Sequence, residues 1–255
     1  MLMNSELEQL LQLPNVWQAS RLKRRTTVLS TGYTPLDKAL HDGGWPDSAT
    51  TELLLPHVGI GELRLLIPAL RKVQQQRPWV AFISPPYLPF ASAVRLLGLN
   101  PQGVLLITPR DEREQLWSAE QVLQSGCCSA VINWAVTTQL DSRQLRRLQQ
   151  AAHRGQCWHT LVRHRSQAKQ PSPSALRLSL QSEPQGLLQL NILKQRGGWS
   201  GQQVKLALTP DLTKLQTLST FQLPLPLVQL QHNTAAVSDT SSSIKSNNVI
   251  PISTP

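Results

Sequence analysis

The chain has 255 residues, 40% hydrophobic and only 16% charged, which is ample for a buried core and too apolar for a solvated, disordered chain. Its three cysteines, Cys127, Cys128 and Cys157, include no CxxC pair, which argues against a disulfide framework or a zinc knuckle and fits a reduced cytoplasm. No apolar run approaches the ~20 residues that span a bilayer, so no membrane partner is expected, and the formal net charge of +10 points to an acidic partner instead.

Residues 5–13 carry Leu7, Leu10 and Leu11 at helical spacing, and Arg21 to Arg25 follow as a basic linker. Gly32, Gly43 and Gly44 mark turns around a short helix at 34–40. From there β-rich and helical runs alternate. Strands are expected at 51–55, 79–84, 103–108, 129–135 and 157–162. Helices are expected at 62–75, 90–97, 113–124 and 142–152. This order implies βαβ units and a mostly parallel sheet with helices on both faces. Beyond a Pro/Ser/Gln loop at 166–174, three period-2 runs (175–180, 187–194 and 203–208) read as an antiparallel meander extending the sheet. The organisation expected is an N-terminal helix and linker (1–27), a core domain (28–210), a C-terminal extension (211–231) and a Ser/Thr/Asn-rich disordered tail (232–255).

The charge is uneven. Residues 1–141 hold 12 basic and 12 acidic side chains, whereas 142–209 hold 11 basic and one acidic. This basic set is Arg143, Arg146, Arg147, Arg154, Arg163, Arg165, Lys169, Arg177, Lys194, Arg196 and Lys205. Arg143, Arg146 and Arg147 share one helix face. The window is the expected contact surface, for DNA phosphate or for an acidic protein. His153, His159 and His164 have no carboxylate nearby in sequence, and no metal site is expected. Buried, inert thiols are expected at Cys127 and Cys128.

A strand, a glycine loop and a helix between Thr51 and Leu70 form the context of a phosphate-binding loop, GxxxxGK[ST]. The residues departing from or keeping that pattern are Pro56, Gly59, Gly61, Glu62 and Leu63. Gly61 keeps the second glycine. Pro56 replaces the first, Glu62 the lysine that neutralises phosphate, and Leu63 the hydroxyl that ligates magnesium. A carboxylate here repels a triphosphate by about 1 kcal/mol even in a water-like dielectric.

The segment Ser30-Thr31-Gly32…Leu36-Asp37…Gly43-Gly44-Trp45-Pro46…Thr51-Glu52-Leu53 resembles the lead into the phosphate loop of RecA-type recombinases. The resemblance runs over about residues 28–208 and implies a RecA-like core. It places the family's catalytic glutamate near Pro86 and its magnesium-linked aspartate at Asn133 or Trp134, so these chemical positions are lost along with the lysine and hydroxyl. A relative with degenerate Walker motifs and no ATPase activity is expected, with no cofactor. Two such groups are similar. In the ImuA group, the protein accompanies an ImuB-like Y-family protein and an error-prone polymerase subunit in SOS-induced translesion synthesis, with RecA and single-stranded DNA as further partners. In the SulA group, it inhibits cell division by binding FtsZ. The GIGELRLL motif, the GGWP turn and the Leu13-Pro14-Asn15-Val16-Trp17 box look like ImuA.

Overall fold

The computed structural model describes residues 28–137 and 139–208. The expected N-terminal helix, basic linker, C-terminal extension and tail lie outside the described residues. Ten strands are described: β1 (Val28–Leu29), β2 (Trp45–Pro46), β3 (Thr50–Leu55), β4 (Trp79–Ile83), β5 (Val104–Ile107), β6 (Cys128–Trp134), β7 (Trp158–His164), β8 (Leu176–Glu183), β9 (Leu187–Gln195) and β10 (Gln203–Ala207). The α-helices are α1 (Thr34–Ala39), α2 (Glu62–Gln76), α3 (Ala91–Leu96), α4 (Glu112–Ser125) and α5 (Ser142–Arg154).

Eight strands form one sheet in the order β10-β9-β8-β3-β7-β6-β4-β5. The six strands from β8 to β5 run parallel. Strands β8, β9 and β10 pair antiparallel, as the meander expectation has it. All residues of β3 and β6 are buried, as befits central strands covered on both faces.

Side-chain alternation divides the core in two. Val80, Phe82, Ala130 and Ile132 face α2, where Leu65, Leu66 and Leu70 pack. Ala81, Ile83 and Val131 face α4 and α5, where Leu116, Ala119, Leu145 and Leu148 pack. Helices therefore cover both faces.

The resemblance-bearing segment has a structural reason for its residues. Ser30 Oγ donates to Asp37 Oδ2 (2.9 Å) and the Thr31 amide donates to Oδ1 (2.8 Å), so Asp37 clamps the chain entering α1. A Cβ at Gly44 would lie 2.5 Å from the Leu29 carbonyl oxygen, so the turn beside the β1–β2 pair tolerates only glycine. Pro68 lies inside α2 and cannot donate to the Arg64 carbonyl one turn back. The Tyr33 hydroxyl donates to that carbonyl instead, at 3.2 Å.

Candidate phosphate-loop site and partner surfaces

The loop between β3 and α2 sits at the carboxyl end of the parallel strands, where α/β sheets bind ligands. It turns through two left-handed glycines, Gly59 (φ 86°) and Gly61 (φ 112°), the latter capping α2. In a phosphate-binding loop these amides face an anion. Here the anion belongs to the chain. The Gly59 amide donates to both carboxylate oxygens of Glu62, at 3.0 and 3.1 Å, and Glu62 is only 4% exposed. Glu62 is also the first residue of α2, so its charge lies at the positive end of the helix dipole. Pro56 offers no amide at all. Leu208, where β10 leaves the sheet, packs over the loop; a Cβ on Gly61 would approach its Cδ1 to 2.6 Å.

Asn133 and Trp134 are interior packing. Asn133 Oδ1 accepts from Gln115 Nε2 (2.8 Å), and the same nitrogen donates to the Trp134 carbonyl (2.7 Å). The Trp134 ring meets Phe82 edge-on, with centroids 5.7 Å apart. Pro86 is exposed in the loop after β4. Leu63 is half-buried and faces a groove that sequence reasoning missed. This groove, about 440 Å³, runs between the phosphate loop, the 85–89 loop and α3, with Leu63, Pro86, Tyr87, Leu88, Leu96 and Trp134 among its lining. The available signal was the run Pro85-Pro86-Tyr87-Leu88-Pro89-Phe90, six residues without a charge.

The basic window does not form one surface. Arg163 is fully buried and Arg177 is 6% exposed, which corrects their place on the expected contact surface. Both turn inward toward Glu52 on β3. Arg177 Nε donates to Glu52 Oε2 at 3.0 Å, and Arg163 Nη1 lies 3.7 Å from the same oxygen. Ser174 Oγ (2.7 Å) and Ser172 Oγ donate to Oε1. Arg163 Nη2 donates to Gln170 Oε1 (2.7 Å). Burial lowers the Arg163 pKa, with Glu52 opposing the shift. Lys194 is half-buried and donates to the Ser172 carbonyl at 2.7 Å; burial and then Arg177 lower its pKa. These three cations hold the 165–174 loop onto the sheet.

The remaining cations are exposed. Arg143, Arg146 and Arg147 lie on the outer face of α5, and Arg147 pairs with Glu120 of α4 at 2.5 Å. Arg165 and Lys169 lie in the turn after β7, at the same carboxyl end as the phosphate loop. Arg196 and Arg154 line a cleft of about 630 Å³ at the opposite end of the sheet. Lys205 pairs with Glu183 at 3.4 Å.

Among the described residues no cluster of His, Cys, Asp and Glu could hold a metal, and no helix is long and apolar enough to cross a membrane. His159 is buried, its Nδ1 3.0 Å from Thr50 Oγ1, and desolvation pushes its pKa down to about 3. Burial raises Cys128 to about 11 and Cys157 to about 12. Cys127 is exposed, contrary to expectation, because it precedes β6 at the turn after Gly126.

The chain is similar to known proteins of two kinds. A family model described as "Cell division inhibitor SulA" matches residues 57–159, from the loop after β3 to β7. Curated RecA proteins also match. That of Gluconobacter oxydans is 31% identical over 112 residues, covering 44% of this chain and 32% of the relative. That of Bacillus mycoides is 29% identical over 110 residues, covering 43% and 32%. The chain spans about a third of the length of the curated relatives it matches. The protein is therefore RecA-like and SulA-like in part of its sequence.

Proposed function

We propose that the protein is a non-catalytic, RecA-like accessory factor of SOS-induced, error-prone translesion synthesis, of the ImuA type. It acts in the cytoplasm as a scaffold joining an ImuB-like Y-family protein to the error-prone polymerase, with RecA and DNA as further contacts. The observation that carries this reading is the Glu62 carboxylate on the Gly59 amide. A recombinase-like core whose loop holds its own anion has lost nucleotide chemistry and kept a surface. Leu63 and Trp134 support the same reading, since neither side chain offers an oxygen to magnesium, and the buried Asn133 oxygen is engaged by Gln115. The cations Arg143, Arg146, Arg165 and Lys169 are free to meet an acidic partner at the carboxyl end of the sheet.

Co-purification tests it. The full chain should retain an ImuB-like Y-family protein at low salt and release it as salt rises. Failure to retain that protein, RecA or DNA would remove the proposal.

A second reading, a division inhibitor binding FtsZ, is favoured by the SulA family model over residues 57–159. Overexpression that produces filamentous cells would select it over the first; normal division would discard it.

A further inference from the structure

The groove between the phosphate loop, the 85–89 loop and α3 has apolar walls. Among its lining, Tyr87 is 73% exposed, Leu88 64% and Leu96 49%. Apolar surface gathered in this way marks an interaction site. Its volume of about 440 Å³ lies in the range that holds a few bound side chains. The loop is also stiff. Pro85, Pro86 and Pro89 fix their own φ angles and restrict the residues before them. Tyr87 and Leu88 are therefore held ready, and a ligand that meets them loses little to ordering the loop.

Charge decides which kind of partner fits. Residues 56–99 carry five cations, Arg64, Arg71, Lys72, Arg77 and Arg95, and one carboxylate, Glu62. That carboxylate is 4% exposed and is held by the Gly59 amide. Arg71 and Arg77 donate to carbonyl oxygens, of Leu97 (2.6 Å) and Gly126 (2.9 Å). Arg64 lines the groove, and Arg95 stands on α3 between the lining residues Val94 and Leu96. Both are exposed, and neither belongs to an ion pair among the described residues. The groove thus joins an apolar floor to a positive rim. A basic segment would meet that rim as like charges, and a purely apolar one would leave it unpaired.

We propose that this groove docks a segment of a partner protein that carries large apolar side chains flanked by carboxylates. The apolar side chains lie against Tyr87, Leu88 and Leu96, and the carboxylates meet Arg64 and Arg95. The proposal does not rest on the translesion reading, since it names the chemistry of the partner's segment and not the partner.

A phage-displayed library of random dodecapeptides, panned against the full chain, tests it. Enriched peptides should combine Leu, Phe or Trp with Asp or Glu. Labelled with fluorescein, they should bind the parent chain in anisotropy titrations and weaken as salt rises. Leu88→Asp should weaken them at least about tenfold, and Arg64→Glu with Arg95→Glu about fivefold. These side chains are exposed, so circular dichroism melts of the variants should match the parent. The full chain with p-benzoylphenylalanine in place of Tyr87 gives a second readout, since irradiation should attach the peptide at that position. No enrichment, enriched peptides that are basic or uncharged, or affinity unchanged by Leu88→Asp would overturn the proposal. An adduct to the chain itself or to a second copy, in place of the peptide, would overturn it as well.

Discussion

Replacing Glu52 by glutamine is the most informative single change to the fold. Glu52 is fully buried on β3, and its carboxylate is the acidic partner of both Arg163 and Arg177. Glutamine preserves the volume and leaves an oxygen for Ser172 and Ser174. It removes the charge, however, and leaves two buried guanidinium groups uncompensated. Removing one partner of a buried ion pair costs about 3–5 kcal/mol, because the remaining charge stays desolvated. For a domain of this size 1 kcal/mol corresponds to about 2–4 °C, so the melting temperature should fall by roughly 6–20 °C. Circular dichroism melts of the full chain measure this. The control is Glu183→Gln, which breaks the more exposed pair with Lys205 and should shift stability by under ~1 kcal/mol. A Glu52→Gln melt within about 2 °C of the parent would refute the claim that these arginines are structural.

The remaining predictions concern pH, the loop and the basic helix. His159 is neutral when folded, with a pKa of about 3 against the usual 6.5, so its contribution is complete above pH 6.5 and is lost as pH falls from there toward 3. By pH 5 that loss is about 2 kcal/mol, and His159→Asn should flatten the urea-stability profile between pH 6.5 and 5; an unchanged slope would deny it. Gly61→Ala forces an L-residue to φ 112° and pushes its Cβ against Leu208, so denaturant titration should show a loss of about 1–3 kcal/mol. Arg143→Glu with Arg146→Glu should weaken partner binding and flatten its salt dependence, by about 1.5 in log–log slope if the partner is DNA. Unchanged affinity and slope would make α5 a solvated face.

Much of the fold was legible because its signals are local. The runs Trp79–Ile83 and Cys128–Trp134 are apolar and β-rich, and Gly98 and Gly126 punctuate the helices before them. Strand order was not legible, since β3 lies between β7 and β8, which arrive more than a hundred residues later. The two-residue β1 and β2 are too short to carry any period. The substituted loop positions were visible residue by residue. That Glu62 turns back onto Gly59, rather than merely repelling phosphate, depends on the left-handed turn and needed the structure. Arg163 and Arg177 read as surface cations because charged residues usually are. Their partner stands 125 positions before Arg177, and burial of a charge is decided by such distant pairing. The groove escaped notice because a Pro-rich loop reads as a connection.

The proposed function rests on a loop whose Gly59 amide is held by the chain's own Glu62 carboxylate, and it proposes that this loop performs no nucleotide chemistry. Titration calorimetry of the full chain with magnesium and ATP tests this most directly. The account predicts no heat of binding up to millimolar nucleotide and no released phosphate. Saturable binding with a micromolar Kd, or phosphate release above background, would contradict it.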